Sequence, residues 1–104
     1  MSKDASFRDY VVHDLLSNFS GISSRAMFGG YGVYKDGKIF AIIANGELFV
    51  KGRKETEQFF KSNRSHQFTY SKKNGKIYTM NYWFVSEEVY GNRDMFAQWI
   101  DMAI

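Results

Sequence analysis

The sequence predicts an α+β fold of two layers, in which helices pack on one face of a five-stranded, mostly antiparallel sheet. Two observations predict it. Asp36-Gly37, Asn45-Gly46 and Asn74-Gly75 each separate two strand-like segments, and such dipeptides are typical of tight β-hairpin turns. Apolar residues with helical spacing occur at both ends of the chain. The 104 residues contain no linker or repeat, so we expect a single domain over residues 1–104.

The first predicted element is a helix over residues 5–19. Phe7, Val11, Leu15 and Phe19 recur at every fourth position, which places all four on one face of an α-helix. We expect this apolar stripe to pack on the sheet.

Three strands are predicted next, over residues 24–34, 38–44 and 47–51. The first contains three glycines, and we interpret it as one strand that is bent or bulged at them. The second is almost entirely apolar, as expected for a central strand that is covered on both faces. In the third, Phe49 points away from the face to which its two neighbours point.

The second half of the chain repeats this pattern. A short helix over residues 54–62 leads to two strands, over residues 67–70 and 76–84. Ser86 can cap a short helical turn, and a final helix follows Asn92 with Met95 on its apolar stripe. The predicted order is therefore α-β(3)-α-β(2)-α. With all helices on one face of the sheet, we expect the other face to be partly open to solvent or to a partner.

Positive charge is concentrated in one part of the chain. Residues 51–76 contain eight basic and two acidic residues, while the remainder contains six basic and nine acidic residues. This asymmetry indicates an anionic partner such as nucleic acid, and the alternative is a solvated helix and hairpin with a surplus of lysine. The residues that would contact nucleic acid are Lys51, Arg53, Lys54, Arg64, Lys72, Lys73 and Lys76.

Two aromatic residues are candidates for a platform on which bases stack. Phe49 precedes Lys51 by two residues, and Tyr70 lies close to Lys72 and Lys73. Unpaired bases stack on exposed strand aromatics while nearby cations hold the phosphates. The alternative is that both rings cover the sheet under a helix or at the contact of a homodimer.

No arrangement of residues predicts an enzyme. The chain contains no cysteine, and neither His13 nor His66 has a patterned serine or acidic partner that would make it a general base. Asp9 and His13 share one helix face, but two ligands are too few for a metal site. We therefore expect no catalytic residue, no cofactor and no metal ion.

The sequence also predicts a cytoplasmic protein. Small secreted domains often depend on disulfide bonds, which this chain lacks the cysteines to form. Its charged N-terminus has no apolar stretch of a signal peptide, and the longest apolar run, residues 39–44, is too short to span a bilayer. We therefore expect no contact with a membrane.

Three stretches of the chain resemble the N-terminal domain of the TfoX/Sxy competence regulators. Residues 25–34 read RAMFGGYGVY, similar to the signature Arg-x-Met-Phe-Gly-Gly-Tyr-Gly-x-Tyr of that family. Residues 40–51, FAIIANGELFVK, are similar to the hairpin that follows it. Residues 80–88, MNYWFVSEE, are similar to a segment in which the family usually has proline at the position of Asn81, so we expect less rigidity around Trp83.

The resemblance implies a fold like that of the secretion chaperones and a regulatory, non-enzymatic activity. It implies a bacterial transcriptional coactivator that acts through contacts with a protein partner, a DNA-bound transcription regulator, and that needs no cofactor. Direct binding of nucleic acid through residues 51–76 and assembly into a homodimer stay open as alternatives. Full-length regulators have a second, helical domain after this one, so the complete competence function is not implied for these 104 residues alone.

The residues that carry the resemblance are expected to be structural or to contact the partner. Arg25 is expected to pair with a carboxylate, Met27 and Phe28 to fill the core, the glycines to permit the bend, and Tyr31 and Tyr34 to cap the sheet. The complete set is Arg25, Met27, Phe28, Gly29, Gly30, Tyr31, Gly32, Tyr82 and Trp83.

Overall fold

The computed structural model describes residues 3–27 and 29–104 of the chain. The elements are α1 (Lys3–Asp9), which continues as a π-helical segment (Tyr10–Leu15), β1 (Ile22–Met27), β2 (Gly30–Lys35), β3 (Lys38–Ala44), β4 (Glu47–Lys51), α2 (Glu57–Ser62), β5 (Gln67–Ser71), β6 (Ile77–Val85), α3 (Glu87–Tyr90) and α4 (Arg93–Ala103). This order matches the predicted one except for an additional strand, and α3 lies where a short helical turn after Ser86 was predicted. None of the described helices is long and apolar enough to cross a membrane.

The strands form one antiparallel sheet in the order β1-β2-β3-β4-β6-β5. Hairpins join consecutive strands except β4 and β5, which are joined through α2 and have β6 between them. The α+β class with one antiparallel sheet is therefore confirmed. The likeness to secretion chaperones stays a prediction.

The prediction of five strands is wrong at residues 24–34, which do not form one bent strand. β1 and β2 are separate antiparallel strands, and Met27 pairs with Gly30 across a tight turn. Gly29 has a φ of 78°, in the left-handed region that glycine adopts at little cost. A glycine in that conformation reverses the chain here instead of bending it, and the sheet gains a sixth strand.

The main core lies between the helices and one face of the sheet. The helical half contributes Val11, Leu16, Phe60, Val89, Phe96, Trp99, Ile100 and Ala103, and the sheet contributes Val33, Phe40, Ala41, Ile43, Leu48, Val50, Trp83 and Val85. The register between β2 and β3 shifts at Val33/Tyr34, which brings both Phe40 and Ala41 into this core. The helices therefore form one layer and the sheet the other, as predicted.

The first helix departs from the predicted four-residue spacing. In its π-helical segment the N–H of Leu16 donates to the carbonyl oxygen of Val11 at 2.9 Å, five residues earlier. Val11 and Leu16 are consequently buried, whereas Leu15 is only half-buried at the edge of the core. The wider turn moves the buried position one residue along the chain, which a regular α-helical pattern does not anticipate.

Turns and helix caps agree with the predictions. Residues 36–37 and 45–46 all have positive φ, as tight hairpin turns of this kind require. The side chain of Ser86 accepts a hydrogen bond at the start of α3, and that of Asn92 accepts one from the N–H of Met95 at the start of α4. Met95 itself is 37% exposed, so its predicted place on the buried stripe is wrong.

The other face of the sheet is partly covered by the chain itself. Ile42, Phe49 and Tyr82 form a second buried cluster there. The register between β5 and β6 shifts at Gln67/Phe68, and the ring of Phe68 packs 5.0 Å from the ring of Phe49. The β5–β6 hairpin therefore covers part of this face and presents its own outer surface to solvent.

Candidate interaction surface

Arg25 does not pair with a carboxylate in the described part of the chain, so that expectation is wrong. Its guanidinium lies over the ring of Tyr34, 5.7 Å from the ring centre. Arg25 is paired with Gly32 in the sheet, and this register brings Tyr34 within reach as the diagonal neighbour on β2. A cation over an exposed aromatic ring contributes about 0.5–1 kcal/mol, so Arg25 stabilises the β1–β2 hairpin.

The three motif glycines meet different constraints. A Cβ at Gly29 would meet nothing within 4 Å, so its positive φ is its structural requirement. A Cβ at Gly30 would overlap the carbonyl oxygen of Ile43 on β3. At Gly32 it would press against three side chains, one of which is Met27. Close strand packing, more than a bend, explains the last two glycines.

The remaining residues of this motif are only partly in the core. Tyr31 is half-buried against the core, and the guanidinium of Arg8 lies 4.6 Å from the centre of its ring. Tyr34 is half-buried on the second face. Met27 is half-buried and does not belong to the core cluster, contrary to its expected role. Phe28 lies outside the described residues.

Trp83 is buried and hydrogen-bonded to Asn81, which stands where proline was expected. The indole is 2% exposed and stacks on Phe60 with ring centres 5.7 Å apart. Its Nε1 donates to the side-chain oxygen of Asn81 at 2.8 Å, and the Asn81 amide donates to the carbonyl oxygen of Gly52 at 2.9 Å. The asparagine side chain therefore joins the indole to the adjacent loop, and the expected loss of rigidity around Trp83 stays a prediction.

Tyr82 points to the second face and is 9% exposed. Burial raises the pKa of its hydroxyl, and the nearby Tyr34 raises it further. Together, Tyr82 and Trp83 occupy the two sides of one strand in two buried clusters. Their roles in the described structure are structural, and neither presents a large surface to a partner.

The basic residues of the segment 51–76 differ in their contacts with the rest of the fold. The Nη2 of Arg53 donates to the carbonyl oxygen of Met102 at 2.7 Å, at the C-terminal end of α4. A cation in this position satisfies helix carbonyls that have no partner within the helix. Arg53 is therefore engaged in the fold, whereas Lys51, Lys54 and Arg64 are exposed around the end of β4 and around α2.

A basic groove near the end of β4 includes two lysines that sequence reasoning missed. Lys35 and Lys38, from the β2–β3 hairpin, line a cavity of about 430 Å³ together with Lys51 and Arg53. They lie outside the basic segment in sequence, so only the strand pairing brings them there. The side-chain ammonium group of Lys35 donates a hydrogen bond to the carbonyl oxygen of Ser20 at 2.6 Å.

The outer part of the β5–β6 hairpin combines exposed apolar side chains with lysines. Ile77 is 73% exposed, Tyr70 is 37% exposed and Met80 is 36% exposed. No aspartate or glutamate occurs between Glu57 and Glu87, a stretch that includes the whole hairpin. We call this region the hairpin surface, and it consists of Phe68, Tyr70, Lys72, Lys73, Lys76, Ile77, Tyr78 and Met80.

Three rings and one ammonium group are arranged in series on the hairpin surface. The rings of Phe68 and Tyr70 are 6.1 Å apart with an interplanar angle of 21°, and those of Tyr70 and Tyr78 are 5.6 Å apart at 24°. The Nζ of Lys72 lies 4.6 Å from the centre of the Tyr78 ring. We call this series the aromatic ladder; Lys72 is its outer end and Phe68, packed on the second cluster, its inner end.

Of the two predicted stacking residues, Tyr70 stays a candidate and Phe49 does not. Phe49 is 4% exposed beneath the hairpin, so no base can stack on it in this conformation. Beside Tyr70 lies a groove of about 480 Å³, which the β5–β6 hairpin and the turns at Gly29 and Asn45 line together. It is lined by Gly29, Ala44, Asn45, Phe68, Thr69, Tyr70, Ser71 and Ile77.

The described residues bring together no cluster of three or more metal-ligating side chains. His13 is exposed on the first helix, and His66 is stacked on Phe84 with ring centres 4.9 Å apart. Among the described residues, burial is the main cause of the raised pKa of the Tyr82 hydroxyl and of the Tyr90 hydroxyl. What the described residues offer most clearly is a surface for binding.

Comparison with known proteins gives the family. The family model described as the TfoX N-terminal domain matches residues 14–104, which include every strand and the helices from α2 onward. The chain belongs to the TfoX N-terminal domain family.

Two relatives of this TfoX-type domain each align with more than half of the chain. Protein Sxy of Escherichia coli (strain K12) is 30% identical over 86 residues, covering 83% of this chain and 41% of the relative. DNA transformation protein TfoX1 of Aliivibrio fischeri is 34% identical over 65 residues, covering 62% of this chain and 31% of the relative. The chain thus spans less than half the length of both relatives.

Proposed function

We propose that this chain is a non-enzymatic regulator of the competence type that acts by binding a protein partner. The observation that carries the proposal is the hairpin surface on a domain of the TfoX family. Exposed apolar side chains gathered in one place on a folded domain mark interaction sites more often than chance exposure does. The proposal also places the chain in the cytoplasm, where a transcription regulator would meet it.

The partner that we propose is a DNA-bound transcription regulator. β5 is the edge strand at one end of the sheet, so its outer edge has no neighbouring strand within the described part of the chain. A partner segment can add a strand to such an edge and place its side chains against Tyr70 and Ile77. The lysines at the turn favour a segment that carries acidic residues.

A matched pair of methionines tests this proposal. Met80 on the hairpin surface is 36% exposed, and Met95 on α4 is 37% exposed. The purified chain, immobilised and incubated with extract from its host, is expected to retain a transcription regulator that mass spectrometry identifies. Met80→Ser should weaken this retention and Met95→Ser should not. Absence of any transcription regulator or polymerase component from the retained proteins would count against the proposal.

The second candidate function is direct binding of nucleic acid through the basic segment. The observation that favours it is the contact of Lys72 with Tyr78, beside Lys73 and Lys76, in a stretch free of acidic residues. Phosphate contacts by lysine make the affinity fall steeply as salt rises. Duplex DNA titrated at ~50 mM and ~200 mM salt tests this candidate.

Two double variants separate a local contact from an effect of net charge. Lys72→Glu with Lys73→Glu should abolish binding, whereas Lys38→Glu with Arg93→Glu, which changes the net charge equally at exposed positions outside residues 51–76, should retain most of it. Equal losses in both would indicate that only the total charge matters. A homodimer is the remaining alternative, and sedimentation velocity of the chain at several concentrations would reveal it.

A further inference from the structure

We propose that the hairpin surface binds single-stranded nucleic acid, with one unpaired base stacked on Tyr78 in the place that the ammonium group of Lys72 now holds. This inference rests on the second candidate function and specifies its ligand and its site. It assigns the binding to the outer hairpin and not to the whole of residues 51–76. Arg53 is excluded because α4 engages it.

The order of groups in the aromatic ladder selects Tyr78 as the stacking ring. Tyr70 makes two ring contacts at small interplanar angles, with Phe68 and with Tyr78, so a base stacked on Tyr70 would compete with both. Tyr78 has Tyr70 on one side and only the side chain of Lys72 as its other neighbour in the ladder. A flexible lysine is the easiest member of the series to displace.

Magnitudes favour the exchange of lysine for a base. A base stacked on an aromatic side chain contributes more than an ammonium group held over a ring near the surface. The displaced Lys72 keeps its charge and can then contact the phosphate that follows the stacked base. In the free chain, the ammonium group of Lys72 therefore occupies the position on Tyr78 that a base would take in the complex.

The charge of the hairpin fits a polyanion. Lys72, Lys73 and Lys76 lie within five residues of one another at the turn, and no acidic residue occurs between Glu57 and Glu87. Phosphates of a strand that passes over the turn would meet only positive or neutral side chains of this segment. The groove beside β5 offers hydrogen-bonding groups, from Asn45 and from the hydroxyl residues of β5, to the edge of a second base.

An aromatic face specifies an unpaired base. In a duplex the faces of the bases are stacked inside the helix, and only their edges and the phosphates are accessible to a protein. A two-stranded ribbon can enter the major groove of DNA, but a ring such as Tyr78 would then meet base edges. The ladder, in which Tyr70 is exposed and Tyr78 half-buried, is therefore better matched to single strands, of either DNA or RNA, than to duplex DNA.

The test is fluorescence anisotropy with labelled oligonucleotides of about 15 nucleotides, the upper range of sites on small binding domains. Oligo-dT, oligo-U and a mixed-sequence duplex are titrated with the full chain at ~50 mM and ~200 mM salt. We expect both single strands to bind more tightly than the duplex. Comparison of oligo-dT with oligo-U shows which of the two sugars the site prefers.

Three tyrosine variants report on the ladder. Tyr78→Leu keeps an apolar side chain but removes the ring face, and should weaken single-strand binding about tenfold, the equivalent of 1.4 kcal/mol. Tyr78→Phe keeps the ring and should bind within about twofold of the original chain. Tyr10→Leu removes an exposed ring, 40% accessible, from the first helix and should leave binding unchanged. Circular dichroism confirms that each variant is folded.

Lys72→Gln provides a measurement that does not depend on stacking. It should lower the slope of log affinity against log salt by about one, because one phosphate contact is lost. Duplex binding at least as tight as single-strand binding, with Tyr78→Leu unaffected, would overturn the inference and leave the second candidate function intact. No binding of any oligonucleotide at low salt would remove both. Equal binding of poly-glutamate would reduce the site to a nonspecific cationic patch and also overturn the inference.

Discussion

The indole Nε1 of Trp83 donates a hydrogen bond to the side-chain oxygen of Asn81 at a distance of 2.8 Å. Asn81 is also bound twice to Gly52, through its side-chain amide and through its backbone carbonyl oxygen. Trp83 contacts the helical core through Phe60, so this pair joins the base of the β5–β6 hairpin to the loop before α2. The base of the β5–β6 hairpin is thus hydrogen-bonded to the loop before α2.

Asn81→Ala is expected to destabilise the chain by about 1–3 kcal/mol, because it leaves the buried indole N–H without an acceptor. Urea denaturation followed by tryptophan fluorescence measures the free energy of unfolding. In a Trp83→Phe background the same change should cost much less, since no indole N–H remains. Equal costs in the two backgrounds would show that the hydrogen bond does not carry the effect.

Gly30→Ala is expected to be more damaging than Gly29→Ala, although only Gly29 has a positive φ. The new Cβ at position 30 would overlap the carbonyl oxygen of Ile43, a backbone atom that cannot move without breaking the sheet, and should cost about 3 kcal/mol or more. At position 29 the space is open, and the left-handed backbone alone should cost about 1–2 kcal/mol. Thermal unfolding of both variants checks the order, and the reverse order would contradict the strand packing described for β2 and β3.

Arg53→Ala is expected to lower the free energy of unfolding by about 1 kcal/mol through loss of the contacts with the end of α4. Its effect on binding of oligonucleotides should be small, in contrast to that of Lys72→Gln. Lys54→Ala, which removes an exposed neighbouring cation, is the control for stability and should change it little. A large loss of oligonucleotide binding in Arg53→Ala at unchanged stability would show that Arg53 belongs to the binding site.

Tyr82 should make the stability depend on pH in the alkaline range. Burial raises the pKa of its hydroxyl in the folded chain above the ordinary value near 10. The unfolded chain therefore ionises first, and the stabilisation is complete below pH 10 and is lost as pH rises through the folded pKa. Urea denaturation between about pH 9 and pH 11 should show a smaller decline for Tyr82→Phe than for the original chain. Identical declines would place the tyrosine outside the buried cluster.

The parts of the fold that local chemistry determines could be predicted from the sequence. The turns at residues 36–37 and 45–46 follow from residues that tolerate positive φ, and the caps at Ser86 and Asn92 follow from short polar side chains at helix starts. The turn at Gly29 could not be predicted in the same way. A single glycine in an aromatic stretch fits a bent strand as well as a reversal of the chain, and only strand pairing decides between them.

Contacts between distant segments were the least predictable. Arg25 was expected to find an opposite charge, yet its diagonal neighbour across the β1–β2 hairpin is Tyr34, which is evident only when the register is known. The burial of Phe49 depends on the hairpin that packs on it from twenty residues away. Tyr70 and Lys72 lie on one hairpin, as their proximity in sequence indicates, but the ring that Lys72 contacts is that of Tyr78 on the opposite strand.

The most direct test of the central claim, that the hairpin surface is where the chain acts, is the amount of competence-gene transcript in the host. The hairpin variant Tyr70→Ser with Ile77→Ser is compared with the control Tyr10→Ser with Met95→Ser, whose residues are also exposed. At equal protein levels, the hairpin variant should reduce the transcripts at least about tenfold, as loss of an interface centre does, while the control stays near the original level. Full transcript levels in the hairpin variant would contradict the claim.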